Sequence, residues 1–173
     1  NSDYILKIDT RTDEVSMIDA PPLQSGRHRV PQDGRYKYLG GAVASDGMLY
    51  SFPCDAERVL CIDAHDNSAK LIGPELLEGE NKWQNGFMLS DGCCYAVPQR
   101  SRFVLRVVPR QLDPPSEPRV ELLPCPPEFN ACKDKFEGGE LGGDGAMYCL
   151  PLRAKHVLKV VPQKKKKKKT YIG

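Results

Sequence analysis

The feature that most constrains this chain is a stretch of sequence that occurs three times. The copies are Lys37–Leu60, Lys82–Leu105 and Lys135–Leu158, which are offset by 45 and 53 residues and align without a gap. Self-similarity at this period is typical of propellers and solenoid arrays, in which each repeat buries its apolar surface against the next one. A repeat architecture is therefore predicted.

Each copy contains an Asp-Gly pair between apolar segments, which is the strongest short-range signal for a β-hairpin. The pair predicts a two-residue turn with positive φ, between a strand near 41–44 and a second strand at 48–52, with equivalents at 93–97 and 146–150. A tyrosine stands at the centre of each second strand, and a proline ends it because proline has no backbone N–H. The repeat positions interpreted as structural are Gly41, Asp46, Gly47, Tyr50, Pro53, Gly86, Asp91, Gly92, Tyr95, Pro98, Gly139, Asp144, Gly145, Tyr148 and Pro151.

Further apolar segments complete each unit. Third strands are predicted at 59–62, 104–107 and 157–160, and fourth strands at 69–72 and 119–123. Four short antiparallel strands in roughly 45–50 residues have the size of a propeller blade. The second and third strands are apolar at nearly every position, as in sheets covered on both faces. The predicted fold class is therefore all-β, a β-propeller of four-stranded antiparallel blades.

The predicted division of the chain follows from these strands. It comprises a partial blade at 1–19, a loop at 20–36, a blade at 37–81, a blade with a long insert at 82–134, a truncated blade at 135–162 and a Lys-rich tail at 163–173. Two complete and two partial blades fall short of the roughly 4–8 blades of a closed propeller. We therefore expect an incomplete propeller, and a chain that is a fragment. A brief helical turn is expected at 74–77.

The repeat resembles known families at its best-defined positions. The order D-G-x-x-Y, a short loop and V-L-x-I-D is similar to blades of the streptogramin-lyase and NHL propellers, and its layout resembles kelch blades. A proline stands where kelch blades have a double glycine. The form K-[YWF]-x-G-G…D-G-x-x-Y-x-x-P…V-L also resembles repeats in proteins of unicellular algae and other protists. The resemblance implies a propeller and says little about activity.

The net charge of +2 depends on the run Lys164–Lys169 near the end of the chain. Without those six lysines the net charge is 2 − 6 = −4, which argues against a nucleic-acid-binding face on the folded part. The lysine run is interpreted either as a basic tail or as a translated poly(A) tract. No apolar run approaches the roughly 20 residues of a membrane span.

The seven cysteines form no disulfide framework and no C-x-x-C motif. Those in or beside predicted strands are interpreted as small apolar residues, whereas Cys125 and Cys132 could close a small disulfide. The odd number of cysteines and the lack of a signal sequence favour a reducing, cytoplasmic compartment.

Candidate catalytic or metal-binding residues do not recur at equivalent positions. The three histidines, His28, His65 and His156, fall at unrelated places in the repeat, whereas a propeller metal site needs ligands aimed at one axis. Neither a metal nor a cofactor is predicted. No phosphate-binding glycine motif and no recognisable Ser or Cys triad is present.

One repeated polar position has no evident structural reason. Lys37, Lys82 and Lys135 would form an arc on one rim or in the channel, and this arc could receive an acidic ligand or partner. Alternatively, each aliphatic stem covers the aromatic residue next to it while the ammonium group stays in water.

The preferred function is a non-catalytic binding or scaffolding module that presents its loops or channel to a protein, peptide or glycan partner. The alternative is part of a propeller enzyme, streptogramin-lyase-like or a hydrolase, whose catalytic residues lie in further blades. Because open blade faces and edges are adhesive, self-association is also expected.

Overall fold

The computed structural model describes residues 2–27, 36–112 and 114–162. The first sheet is a two-stranded antiparallel hairpin of β1 (Ile5–Asp9) and β2 (Glu14–Ile18). We call it the N-terminal hairpin. A single bridge between Asp19 and Ser68 connects the chain that follows it to the next sheet.

Three larger antiparallel sheets follow, and within each sheet the strands lie side by side in the order in which they occur along the chain. Blade 1 consists of β3 (Tyr38–Val43), β4 (Leu49–Pro53), β5 (Val59–Asp63) and β6 (Ser68–Ile72). Blade 2 consists of β7 (Trp83–Met88), β8 (Cys94–Pro98), β9 (Phe103–Val108) and β12 (Arg119–Pro124). In the described residues, blade 3 has three strands, β13 (Phe136–Leu141), β14 (Met147–Pro151) and β15 (Leu158–Val160).

Two short elements interrupt this regular pattern. The segment between β9 and β12 forms a small hairpin of β10 (Gln111–Leu112) and β11 (Pro115–Ser116), which we call the insert. A 3-10 turn at Pro127–Phe129 lies in the connection between blades 2 and 3. The helical turn expected at 74–77 is not formed. The backbone N–H of Leu76 instead donates to the carbonyl of Glu57 at 2.7 Å, which holds this connection extended against blade 1.

The apolar core is divided among the contacts between consecutive sheets. One cluster joins the N-terminal hairpin to blade 1, a second joins blades 1 and 2, and a third joins blades 2 and 3. Trp83 lies in the second cluster and Phe136 in the third, and both are fully buried. This confirms the predicted all-β class and the propeller of four-stranded antiparallel blades, incomplete in the part that the structure describes.

The Asp-Gly loops differ in detail from the prediction. In blade 1 the N–H of Ala44 bonds the carbonyl of Met48 at 3.0 Å, so the loop contains three residues rather than two. Gly47 has φ +80°, whereas Asp46 does not have a positive φ. A three-residue hairpin loop needs the left-handed conformation at its last residue alone. Blades 2 and 3 repeat the same hydrogen bonds and the same glycine conformation.

The first strand of each blade contains a bulge at the paired glycine positions. The register shifts immediately before Gly41, Gly86 and Gly139. A Cβ atom at these residues would lie 2.8, 2.2 and 2.8 Å from the tyrosine carbonyl oxygen of the neighbouring strand. The preceding position has positive φ, which explains why Asn85 can replace glycine there in blade 2. The second position of the bulge therefore requires glycine in all three blades, whereas the first requires a residue that accepts positive φ.

Gly86→Ala tests this requirement. The added methyl group would clash with the backbone of β8 and with the ring of Phe52, and overpacking of this kind costs about 1–3 kcal/mol. We expect the free energy of unfolding in urea to fall by that amount. Gly143→Ala is the matched control, since a Cβ atom there meets no atom within 4 Å. Equal stabilities of the two variants would contradict the assignment.

Candidate functional site

The topology gives the blades two distinct ends. The Asp-Gly loops lie at the end that we call the hairpin end, together with the turns between third and fourth strands. The repeat lysines lie at the opposite end, the connector end, beside the loops that follow Pro53, Pro98 and Pro151.

The repeat lysines are buried at the connector end. Lys37, Lys82 and Lys135 are 6 %, 1 % and 1 % exposed. Their backbone atoms organise the loops around them. The carbonyl of Lys82 accepts the N–H of Gln99 at 2.9 Å, and its own N–H donates to Cys54 of blade 1 at 2.9 Å. The equivalent N–H of Lys135 donates to Gln99 at 2.8 Å, so the same bond joins blade 3 to blade 2.

The ammonium groups of Lys37 and Lys82 have partners within the chain. Lys37 Nζ donates to the carbonyl of Ser2 at 3.2 Å and pairs with the carboxylate of Asp3, and Lys82 Nζ donates to the carbonyl of Gly79 at 3.0 Å. Burial lowers the pKa of Lys82 to about 8 and also lowers the pKa of Lys135. The expected binding of an acidic ligand by this arc stays a prediction, and the burial favours a structural role.

The repeated aspartates at the hairpin end do more than form the turn. In blade 1, Asp46 Oδ1 accepts the N–H of Met48 at 3.1 Å and its Oδ2 accepts the hydroxyl of Tyr50 at 2.8 Å. Blades 2 and 3 repeat this arrangement, with Tyr–Asp distances of 2.7 and 2.9 Å. Sequence reasoning missed this hydrogen bond, although the spacing D-G-x-x-Y in all three copies was its signal.

A cation completes the arrangement in blades 2 and 3. Opposite Tyr95 on the third strand, Arg106 pairs with Asp91 at 3.0 Å and lies over the tyrosine ring. Opposite Tyr148, Lys159 pairs with Asp144 at 2.6 Å in the same way. Because both cations occupy one position of the repeat, the carboxylate, phenol and cation form a repeated unit.

Blade 1 breaks this pattern. The residue opposite Tyr50 is Cys61, which is short and uncharged. The backbone N–H of Arg110, from the insert of blade 2, donates to Asp46 Oδ2 at 2.9 Å instead. The missing side chain and the insert together leave a cavity of about 410 Å³ between blade 1 and the insert. We call this cavity the insert cleft.

The insert cleft has charged walls. Lys70 Nζ pairs with Glu117 across it at 2.8 Å, and their side chains are 58 % and 82 % exposed. The hydrogen bond between the two raises the pKa of Lys70 and lowers that of Glu117. The charged side chains that line the cleft are Asp63, Asp66, Lys70, Arg110 and Glu117. The cleft therefore offers both signs of charge to a ligand.

Cys61 also lines the cleft. It is buried, and burial raises the pKa of its thiol. A protonated thiol is a poor nucleophile, so this arrangement suits binding better than covalent chemistry.

The second candidate region, the loop 125–132, contains free thiols. Cys125 is buried and Cys132 is partly exposed, and the disulfide that could join them is not formed. Burial raises the pKa of Cys125 to about 11. A separate cavity of about 410 Å³ lies between this loop and blade 3, lined by residues that include Phe129, Cys132, Arg153 and His156.

Among the residues that the structure describes, no group of three or more His, Cys, Asp or Glu side chains could hold a metal ion. His65 and His156 are exposed. His28 and the run 164–169 lie outside the described residues, as does part of the predicted loop 20–36. In the described ranges no helix is long and apolar enough to span a membrane.

No protein-family model and no curated protein matches this chain at the sequence level. Solved structures match it in fold. Virginiamycin B lyase from Staphylococcus aureus is 12 % identical with a TM-score of 0.62, over 91 % of this chain and 45 % of the lyase chain. A streptogramin B lyase is 15 % identical with a TM-score of 0.61, over 91 % of this chain and 44 % of its own.

A catalytically inactive variant of the S. aureus lyase with quinupristin also matches, at 11 % identity and a TM-score of 0.59, over 94 % of this chain and 50 % of the other. The chain thus spans about half the length of these three structures or less. Likeness at these identities supports the propeller fold and leaves the activity open.

Lys82→Met tests the burial of the lysine ammonium. The pKa of Lys82 is about 8 in the folded chain, below its ordinary value of about 10.4. Between about pH 8 and about pH 10 the unfolded chain therefore binds more protons at this residue, so the free energy of unfolding rises with pH. In urea unfolding, we expect wild type to gain up to about 3 kcal/mol relative to Lys82→Met over this range, at about 1.4 kcal/mol per pKa unit.

The matched control is Lys155→Met, at an exposed lysine of blade 3. Because this side chain is exposed, its replacement should change the free energy of unfolding by less than about 0.5 kcal/mol. A difference between wild type and Lys82→Met that stays constant from about pH 8 to about pH 10 would show that the ammonium group of Lys82 remains hydrated.

Proposed function

We propose that this chain is a non-catalytic binding module whose ligand-binding surface is the insert cleft, and that the ligand is a peptide segment of a protein partner. The observation that carries the proposal is the loss of the repeated cation at Cys61, where the insert of blade 2 closes over blade 1. If this position served the repeat fold alone, we would expect blade 1 to keep the cation that blades 2 and 3 have there. Loops held by a rigid scaffold are common places for binding residues.

The charges of the cleft support a peptide as the ligand. Asp63 and Asp66 can accept hydrogen bonds from cationic or amide groups, and Arg110 can donate to carboxylate or carbonyl groups. A peptide offers all of these groups along one short segment, whereas a neutral glycan carries no charged group. The volume of about 410 Å³ lies within the range of ligand pockets, about 300–1,000 Å³.

The Lys70–Glu117 pair is suited to exchange partners. Both side chains are more than half exposed, and an exposed ion pair contributes little to stability. Opening the pair therefore costs little, and each group can then pair with an opposite charge on the ligand. This property favours reversible binding of a segment that carries both signs of charge.

The experiment is a selection of peptides from a random displayed library on the immobilised chain, followed by fluorescence anisotropy with the selected peptides. We expect Lys70→Glu to weaken their binding at least about tenfold, about 1.4 kcal/mol. The substitution places a second carboxylate beside Glu117 and removes the cation. Because Lys70 is exposed, thermal melts should show that the variant still folds.

Lys155→Glu is the control, since it makes the same charge change at an exposed lysine on the connector end of blade 3. It should bind the selected peptides as wild type does. Equal binding by Lys70→Glu would overturn the assignment to the cleft. Failure to select peptides, with binding to immobilised glycans instead, would overturn the peptide as the ligand.

A second candidate function is part of a propeller lyase, with catalytic residues outside this chain. The fold likeness to virginiamycin B lyase and streptogramin B lyase favours it, at TM-scores of 0.62 and 0.61. Equilibrium dialysis of the chain against quinupristin separates the two candidates. Retention of quinupristin by the chain would favour part of a lyase, and no retention is expected from the peptide-binding module.

A further inference from the structure

The cavity of about 410 Å³ beside blade 3 lies at the connector end, and we call it the connector cavity. One of its walls is the connection between blades 2 and 3, with Phe129 and Ala131. The other wall is the loop between β14 and β15, with Arg153, Ala154 and His156. The connector cavity and the insert cleft share no lining residue. It is therefore a separate candidate site.

The loop that forms the second wall has a counterpart of the same backbone in blade 2. There, three successive N–H groups after Pro98 donate to the carbonyl of Lys82, at 2.9–3.3 Å. In blade 3, three successive N–H groups after Pro151 donate to the carbonyl of Lys135, at 2.8–3.3 Å. What distinguishes the two loops is therefore the set of side chains that they carry.

In blade 2 a polar contact joins this loop to the connection before the blade. Ser101 Oγ donates to Glu78 Oε2 at 2.7 Å. Counted from the repeat lysine, the equivalent residues of blade 3 are Ala154 and Ala131, and both of them line the connector cavity. Because two methyl groups stand where blade 2 has a hydrogen-bonded pair, the space between the walls is open in blade 3.

The charges beside the loop change as well. In blade 2, Arg100 pairs with Glu80 of the preceding connection. The equivalent residues of blade 3 are Arg153 and Lys133, so a cation stands in the place of that carboxylate. His156 adds a further basic side chain to the lining. The departures from the repeat thus remove acidic groups and add basic ones around one cavity.

We propose that the connector cavity is a second binding site of this chain, and that its ligand is a small phosphate monoester. The phosphate group would lie between Arg153 and His156. A guanidinium group donates two parallel hydrogen bonds to a phosphate group, and an imidazole N–H can donate another. Glu128 is the one acidic side chain among the described lining residues, so the cavity favours an anion.

The rest of the ligand follows from the size and the apolar wall of the cavity. Its volume lies within the range of ligand pockets, about 300–1,000 Å³, which leaves room for an organic group beside the phosphate. That group would contact the ring of Phe129 and the methyl groups of Ala131 and Ala154. Phe129 is buried, and its ring centroid lies 5.2 Å from that of Phe136. The apolar wall is therefore already in place for a ligand.

The experiment is a phosphorus NMR titration of phenyl phosphate with the full chain. We expect a saturable shift of the phosphorus resonance. Arg153→Gln should weaken the binding at least about tenfold, because it removes hydrogen bonds from a charged donor. Inorganic phosphate should bind wild type at least about tenfold more weakly than phenyl phosphate, because it buries no apolar surface on Phe129.

Ala131→Glu combined with Ala154→Ser is a second test, since it restores the pair that blade 2 has. The loops of the two blades have the same backbone hydrogen bonds, so this variant should keep the wild-type circular dichroism spectrum. The new pair would fill the cavity and place a carboxylate beside Arg153. We therefore expect no binding of phenyl phosphate at concentrations that saturate wild type.

Arg102→Gln is the control, because it removes an exposed cation from the loop of blade 2, outside the cavity. It should bind phenyl phosphate as wild type does, and an equal loss of binding would indicate attraction to surface charge instead of a site. An unchanged phosphorus resonance with wild type would overturn the proposal. So would binding that both cavity variants retain, or inorganic phosphate that binds as tightly as phenyl phosphate.

Discussion

The burial of each sheet against the next is the interaction on which this structure depends. None of the described sheets has a core of its own, because all three apolar clusters lie between consecutive sheets. The second strands illustrate why: all five residues of β8 are buried, so both of its faces need cover. In repeat proteins of this kind, stability is approximately a sum over neighbouring units and the contacts between them.

The polar residues of the repeat fix the two ends of each sheet so that these contacts can form. At the hairpin end, the aspartate carboxylate holds both the turn and the tyrosine hydroxyl, which places the second strand relative to its loop. At the connector end, the lysine N–H bonds the preceding blade. In the first strand, the glycine of the bulge allows the backbone of the second strand to lie close to that of the first. Side chains that look like candidate chemistry in the sequence thus serve assembly.

The sequence predicted the strands closely because their signals are local. The third strand of blade 1 was predicted at 59–62 and spans Val59–Asp63, since apolar content and flanking turn residues suffice to locate it. The burial of Lys82 could not be predicted, because spacing along the chain does not tell whether a neighbouring connection covers a side chain. The cleft could not be predicted either. It depends on the pairing of Tyr50 with Cys61 and on the path of the insert, and both are features of the folded structure that local sequence does not determine.

Because of the position of the insert, the chain can become longer without a change in the geometry of its core. The extra residues leave blade 2 at Val108 and return at Arg119, and these two residues still pair with each other in the sheet. The longer offset between the second and third copies therefore changes neither the register of the blade nor its contacts with its neighbours. Additional segments at this outer turn can vary in sequence and length while the propeller stays the same. Such a fold can acquire a new recognition surface one blade at a time, without having to evolve a new core.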